Sequence, residues 1–507
     1  MQASKQMLES GDWVHINFQE EPRNKKPVGI YWLQATSARV FGQELNVAWP
    51  YRVPSVIAAW IAVLMTAYAG RRLFNPMVGL AAGFILATSF IVVIEAHIAK
   101  TDAALLAATA VAMTMLARIY TEPTVTWPPV LGFWAALGVG ILLKGPVIVL
   151  VAGAAIVALC IADRDFKVLK NLRPLAGLPL MLAIVLPWVI AISGGGASNP
   201  QGNFFADAVL YDLMAKLLGA QESHGGPPGV YLVAGLLTAW PWSLLAPFAV
   251  IAAWKRRAEP AVRFCLAWLI PAWVVFELVP TKLPHYTMPL YPALALLIAC
   301  LVNSDDFRQR VMGRVALAWR IVWIVPAVAL GGGVVFAVRQ YGEGVDAFTG
   351  IAALFTTLTG FFAIFGLARV TARTTLITFT VLATLFAATL TEIAIPRLTH
   401  MAISQRLAAA VAEHPKPIAL AGYSEPSVVF LLGTDTVLTT VEGAAHYILT
   451  HPGAVAVVPK GDINAVESIA ADRPITVLNS IGGYNYSRGR WLRLAVITAG
   501  PPMEPPP

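Results

Sequence analysis

Five polar clusters interrupt an otherwise apolar chain, and they hold most of the residues suited to chemistry. The first is Asn24-Lys25-Lys26-Pro27, just before Tyr31-Trp32; the second runs from His97 through Lys100 and Thr101 to Asp102. Leu143-Lys144-Gly145-Pro146 forms the third, and Gln221-Glu222-Ser223-His224 followed by Gly225-Gly226-Pro227-Pro228 the fourth. The fifth begins at Glu277 and continues as Pro280-Thr281-Lys282-Leu283-Pro284-His285-Tyr286. Lysine binds phosphate as a point charge. A carboxylate near the end of a membrane span has the chemistry of a general base towards a hydroxyl. Several lysines, one or two carboxylates and several histidines together suit a phosphate-bearing, lipidic ligand. Each residue also has a plainer reading: Lys26 and Lys144 as snorkelling helix ends, Asp102 or Thr101 as a helix cap, His224 as a loop residue, and His285 and Tyr286 as part of an interfacial belt.

The elements that must carry these clusters are membrane helices. The 507-residue chain is 57% hydrophobic and 13% charged, against roughly 25% charged in soluble domains. Apolar blocks fall near 53–70, 77–95, 103–119, 128–143, 146–162, 175–193, 229–253, 262–278, 287–302, 318–338, 349–368 and 375–395, about twelve spans. Many approach the roughly 20 residues that a helix needs to cross about 30 Å of hydrocarbon. The net charge of +8 is spread between these blocks, as topology signals are, and not gathered into a nucleic-acid-binding patch. Arg71-Arg72, Arg118, the run from Arg164 to Arg173, Lys255-Arg256-Arg257, Arg308 to Arg314, and Arg369 with Arg373 mark the cytoplasmic connections. The five polar clusters fall on the opposite, outer side, where basic residues run against that bias. Trp240 and Trp242 read as interfacial anchors. The three cysteines have no metal-ligand spacing.

After Pro396 the pattern changes to alternating short elements: helices over 404–413, 425–432 and 466–471, and strands over 417–421, 437–440, 454–458 and 491–498. The expected organisation is therefore an outer loop over 1–52, a transmembrane helical domain over 53–396, a small outer α/β domain over 397–500, and a disordered proline-rich tail over 501–507. Residues 1–52 are placed outside, yet no signal peptide opens them, so an upstream transmembrane helix and a mis-assigned start are expected.

At these same clusters a resemblance emerges. Asn24 to Leu33, Lys100-Thr101-Asp102, Leu142 to Pro146, Glu222 to Gly229, Pro280 to Tyr286 and Gly483 to Gly489 are similar, in that order, to the aminoarabinose-transferase-like, protein-mannosyltransferase-related branch of bacterial membrane glycosyltransferases. The resemblance implies a polytopic α-helical GT-C fold in the bacterial inner membrane with a periplasmic active site. It also implies a polyprenyl-phosphate sugar donor and a lipid (lipid A-like), glycan or protein acceptor. On that basis Asp102 and Lys26 are catalytic; Lys144, Lys282, Tyr286 and His285 meet the donor phosphate; and Glu222, His224 and Arg488 belong to an acceptor or loop site. A divalent metal is an open possibility, with Glu222 and His224 as its candidate ligands and no other cofactor implied. The family's Asp-Glu motif at the start of the first outer loop has no counterpart here; Asp12, Glu20 and Glu21 are weak stand-ins. The competing readings are a flippase for a lipid-linked sugar and a non-catalytic membrane paralogue.

Overall fold

The computed structural model describes residues 1–194, 225–367, 369–470 and 473–501. Its first part comprises α1 (Gln2–Ser10), a short hairpin of β1 (Asn17–Phe18) and β2 (Glu21–Pro22), α2 (Gly29–Phe41), α3 (Trp49–Leu73), α4 (Pro76–Ala87), α5 (Phe90–Ala96), α6 (Asp102–Thr121), α7 (Trp127–Lys144), α8 (Val147–Asp163), α9 (Lys167–Asn171) and α10 (Pro174–Ser193). Local chemistry sets several of these limits. Asn75 caps α4 through the amide of Val78, with Pro76 at the first helical position, where its missing N–H costs nothing. Gly145, at φ 67°, ends α7 in a backbone conformation that glycine adopts freely, so the chain turns sharply between Lys144 and α8.

Among the described residues, eight helices are long and apolar enough to cross a membrane, and α4 with α5, bent by 63° at their junction, makes a ninth. Three shorter apolar helices, α8, Ala246–Lys255 and Met288–Val302, accompany them. The apolar block 229–253 is not one continuous helix. It divides into Val230–Thr238, a single 3-10 turn at Trp242–Leu244 and Ala246–Lys255, because Pro241 and Pro247 each remove a backbone donor. The two tryptophans at that break are core residues, which corrects their reading as interfacial anchors. Each is only 1% exposed; Trp242 donates Nε1–H to the Thr88 hydroxyl at 2.9 Å, and Trp240 packs edge-on against Phe386.

Ion pairs tie one set of helix ends together. Arg72 at the end of α3 and Arg118 in the last turn of α6 both hold Glu122, and Arg263 near the start of Pro260–Leu278 holds Asp163 at the end of α8. The opposite ends, where α6 begins and α7 stops, therefore share the other face of the bundle.

The C-terminal part forms a five-stranded sheet of β3 (Ala419–Ala421), β4 (Val437–Thr439), β5 (Val455–Pro459), β6 (Ile475–Asn485) and β7 (Arg490–Ala499), in the order β4-β3-β5-β7-β6. β3 is parallel to β4 and to β5, and β7 is antiparallel to β5 and β6. Alternation along the strands supplies two cores: Leu420, Val455 and Val457 pack with Ile403, Leu407 and Val428, while Ala419, Ala421, Ala456 and Val458 pack with Ala444, Ala445 and Val466. Helix Val441–Thr450 and strand β6 were not expected from sequence. β6 carries Asn479, Ser480, Gly482 and Gly483 and lacks an apolar alternation; pairing with β7, from Ile475↔Ala499 to Asn485↔Arg490, holds it extended.

This sheet unit is fastened to the N-terminal residues. Lys5 Nζ donates to the Phe430 carbonyl at 3.0 Å, Gln2 to the Thr434 hydroxyl at 2.8 Å, and Gln19 to the Thr436 carbonyl at 2.6 Å.

Candidate active site

The site is assembled where α6 begins and α7 ends. Asp102 is the first residue of α6 and Lys144 the last of α7, and the two side chains form an ion pair. Each charge lies at the helix end that favours it, the carboxylate near the partially positive N-terminus and the ammonium near the partially negative C-terminus. The Thr101 hydroxyl donates to the Leu143 carbonyl at 2.9 Å, which locks the two helix ends in register. The pair is well shielded, with the Asp102 side chain 3% exposed and that of Lys144 17%. Gly29, at the start of α2, comes so close that a Cβ there would lie 2.7 Å from the Leu142 carbonyl oxygen. Only a residue without a side chain lets the first-loop segment bearing Lys26 sit against the end of α7.

The connection 279–287 closes over this pair. Lys144 Nζ lies 4.8 Å from the centre of the Tyr286 ring, a cation–π contact. His285 sits between two carboxylates, with Nε2 at 3.6 Å from Asp102 Oδ1 and Nδ1 at 3.7 Å from Glu95 Oε1. Lys100 Nζ lies 3.6 Å from the same Glu95 oxygen. Burial pushes the His285 imidazole down to about 4, with Lys144, Lys100 and Lys26 adding to the effect and Asp102 opposing it. The ring is therefore neutral at pH 7. Beside the pair lies a pocket of about 170 Å³, lined by Arg23, Lys26, Tyr31, Gln34, Lys100 and Thr101 among others, with Pro426 of the sheet unit at its edge. Arg23, Lys26 and Lys100 give this pocket three cationic side chains, of which Lys100 also faces the Glu95 carboxylate.

The structure thus brings together Asp102, Lys144, His285 and Tyr286, with Lys26 in the adjoining pocket. It gives Lys282 a different setting. Its ammonium donates to the carbonyls of Phe276, Glu277 and Val279 at 3.2, 2.8 and 2.7 Å, at the end of helix Pro260–Leu278, and faces the Tyr231 ring. Three carbonyls take up the three protons of that ammonium, so the side chain holds the connection in shape and has no donor left for a phosphate. Arg488 lies in the β6–β7 turn, where Nη2 is 3.5 Å from the Ser424 hydroxyl, two residues from Pro426 at the pocket's edge. Glu222 and His224, the candidate metal ligands, lie outside the described residues. Among the described residues no three His, Cys, Asp or Glu side chains gather as metal ligands. The stand-in acids are poorly placed for chemistry: Asp12 accepts from the amides of Val14 and His15 and from the His15 ring, and Glu20 and Glu21 are exposed.

Two residues were overlooked in the sequence. Glu95 is 3% exposed, and its Oε2 has no hydrogen-bond partner among the described residues. Arg23 lines the pocket beside Lys26. A carboxylate closing an apolar run was a legible signal for Glu95, since ionisable groups at membrane depth mark functional sites. Arg23 stood one residue outside a motif that drew attention to Lys25 and Lys26.

Comparison with known proteins bears on the family resemblance and on the fold. Residues 25–190, which contain Lys26, Glu95, Asp102 and Lys144, match the family model described as dolichyl-phosphate-mannose-protein mannosyltransferase. The undecaprenyl phosphate-α-4-amino-4-deoxy-L-arabinose arabinosyl transferase of Pseudomonas paraeruginosa is 30% identical over 302 residues, covering 59% of this chain and 53% of the relative. The protein of the same name from Yersinia pestis is 25% identical over 370 residues, covering 68% and 64%. The chain thus spans about half the length of the Pseudomonas relative. The crystal structure of ArnT from Cupriavidus metallidurans bound to undecaprenyl phosphate superposes with a TM-score of 0.74 at 18% identity, over 98% of this chain and 92% of that one. Its apo form gives 0.71 at 18% identity, over 99% and 93%. Domain match, sequence similarity and fold agree: the chain is a multi-pass membrane protein with the GT-C fold of the aminoarabinose-transferase-like, protein-mannosyltransferase-related family it resembles.

Proposed function

We propose that this protein is a glycosyltransferase that moves a sugar from a polyprenyl-phosphate donor to a lipid A-like, glycan or protein acceptor on the periplasmic face of a bacterial inner membrane. The observation that carries the reading is the buried Asp102–Lys144 pair set against a pocket with three cationic side chains. Support also comes from the arabinosyl transfer for which the Pseudomonas and Yersinia relatives are named and from the undecaprenyl phosphate bound to ArnT of Cupriavidus metallidurans. In this reading residues 53–396 are the catalytic membrane domain and 397–500 an outer domain that steadies the first loop.

The acceptor hydroxyl attacks the anomeric carbon, the bond from that carbon to the lipid phosphate breaks, and the phosphate leaves with the electron pair. Lys144 and Lys26 hold fixed positive charge where the departing phosphate gathers negative charge, which lowers the barrier without any reorganisation at the moment of reaction. Tyr286 shields the Lys144 ammonium from water on one side. Asp102 anchors Lys144 and orients the acceptor. The test is transfer of radiolabelled sugar from polyprenyl-phosphate donors in membranes containing the protein. Transfer that fails with Lys144→Met supports the reading. Movement of the intact lipid-linked sugar between leaflets without transfer would replace it with a flippase.

A further inference from the structure

Glu95 is not assigned a role by the reaction above, yet it lies within 4 Å of two of the site's charged or titratable groups. Its side chain is 4% exposed, Oε1 faces His285 Nδ1 at 3.7 Å and Lys100 Nζ at 3.6 Å, and Oε2 has no hydrogen-bond partner among the described residues. A carboxylate buried in this way is costly unless donors reach it.

Hydrogen-bond accounting decides which donor does. A neutral imidazole has one N–H and one lone pair, and His285 stands between two carboxylates. Asp102 Oδ1 already accepts from Lys144, whereas among the described residues Glu95 Oε2 has no hydrogen-bond partner and Oε1 has Lys100 Nζ at 3.6 Å and His285 Nδ1 at 3.7 Å beside it. The carboxylate still owed a proton donor is Glu95, so the ring N–H belongs on Nδ1. That leaves the Nε2 lone pair on the side of Asp102 and Lys144, where the reaction is placed.

We propose that Glu95 and His285 form a dyad in which Glu95 positions the imidazole through Nδ1–H and His285 Nε2 takes the proton released by the attacking acceptor hydroxyl. This rests on the transfer reaction proposed above. As the acceptor oxygen bonds to the anomeric carbon and the lipid phosphate departs with the bonding pair, the hydroxyl proton moves to Nε2. The resulting imidazolium lies between the Glu95 and Asp102 carboxylates, and Asp102 favours its charge against burial and against Lys144, Lys100 and Lys26. His285 is then a catalytic residue and Glu95 a positioning residue, the logic by which a buried acid fixes the tautomer of a catalytic histidine. The separations of 3.6–3.7 Å exceed hydrogen-bond reach in the free protein, and such contacts commonly tighten only when substrate binds.

Two measurements test the dyad. In ¹⁵N-histidine-labelled full-length protein, the His285 signals are those lost in His285→Gln, and their shifts report the tautomer. The Nδ1–H form is expected at pH 7, with Nε2–H appearing in Glu95→Leu; an Nε2–H ring in the wild type, or a spectrum indifferent to Glu95→Leu, overturns the proposal. In the transfer assay Glu95→Leu should lower kcat roughly a hundredfold with KM little changed, because positioning is lost and binding is not. Glu95→Gln, whose carbonyl still accepts from Nδ1–H, should recover part of that loss; an unchanged kcat in Glu95→Leu counts against the dyad. If the wild type transfers no sugar from any donor, the proposed function fails while the tautomer measurement still decides the dyad.

Discussion

Removing the Lys144 ammonium while leaving the Asp102 carboxylate in place should damage both stability and catalysis, and a second substitution separates the two effects. Lys144→Met keeps most of the side-chain volume but strands Asp102, whose side chain is 3% exposed, without the cation that neutralises it. Breaking a buried ion pair on one side costs about 3–5 kcal/mol. The ammonium here is 17% exposed, so water can partly replace it, and about 3 kcal/mol is the expected loss. That is roughly a hundredfold shift in the folded-to-unfolded ratio, at about 1.4 kcal/mol per tenfold. The double variant Asp102→Asn/Lys144→Met removes both charges and should recover most of the stability, since an uncharged pair leaves no stranded ion. Transfer should remain down by roughly 10²–10³-fold in both variants, because the charge facing the leaving phosphate is gone in each. Fluorescence-detected melting in detergent and the transfer assay read the two quantities separately. A Lys144→Met protein that melts like the wild type, or a double variant less stable than either single one, would refute the reasoning.

Further outcomes follow from the same geometry. Gly29→Ala should push α2 away from the end of α7, since its Cβ meets the Leu142 carbonyl oxygen at 2.7 Å; a loss of about 1–3 kcal/mol in melting experiments and weaker donor binding are expected. Thr101→Val removes the bond to the Leu143 carbonyl and should cost about 1 kcal/mol, with a lower kcat as the helix ends lose register. Lys26→Ala should lower kcat, because part of the positive charge facing the departing phosphate is lost, and should weaken the salt dependence of donor binding. His285 takes up a proton at about 4 in the folded protein but near 6.5 when unfolded. Its contribution is thus fully present above pH 6.5 and is lost as the pH falls towards 4, where the unfolded chain binds the proton first. His285→Gln should flatten the stability profile in that window, as followed by melting temperature against pH.

The sequence by itself determined the class of molecule and pointed to Asp102, Lys144, His285 and Tyr286, which the fold brings together. Apolar blocks long enough to cross a bilayer leave few alternatives to a helical membrane protein, since hydrocarbon offers no partner to an open backbone. Asp102 and Lys144 were legible because they stand in short polar turns between apolar blocks on the outer side, where a lysine runs against the positive-inside bias. Strand β6 was not legible, because an edge strand with glycines and polar residues is held by its partner and not by its own pattern. Nor did the sequence distinguish Lys282 from Lys144: both follow leucine or threonine in short polar turns, yet the backbone folds three carbonyls onto one ammonium and a carboxylate onto the other. The place of Glu95 at the end of an apolar run was legible, but its pairing needed the tertiary structure, since His285 lies 190 positions away in the chain. Residue type and spacing reveal what a segment can do locally, whereas the protonation and pairing of a buried group depend on neighbours that only the packed helices bring within a few ångströms.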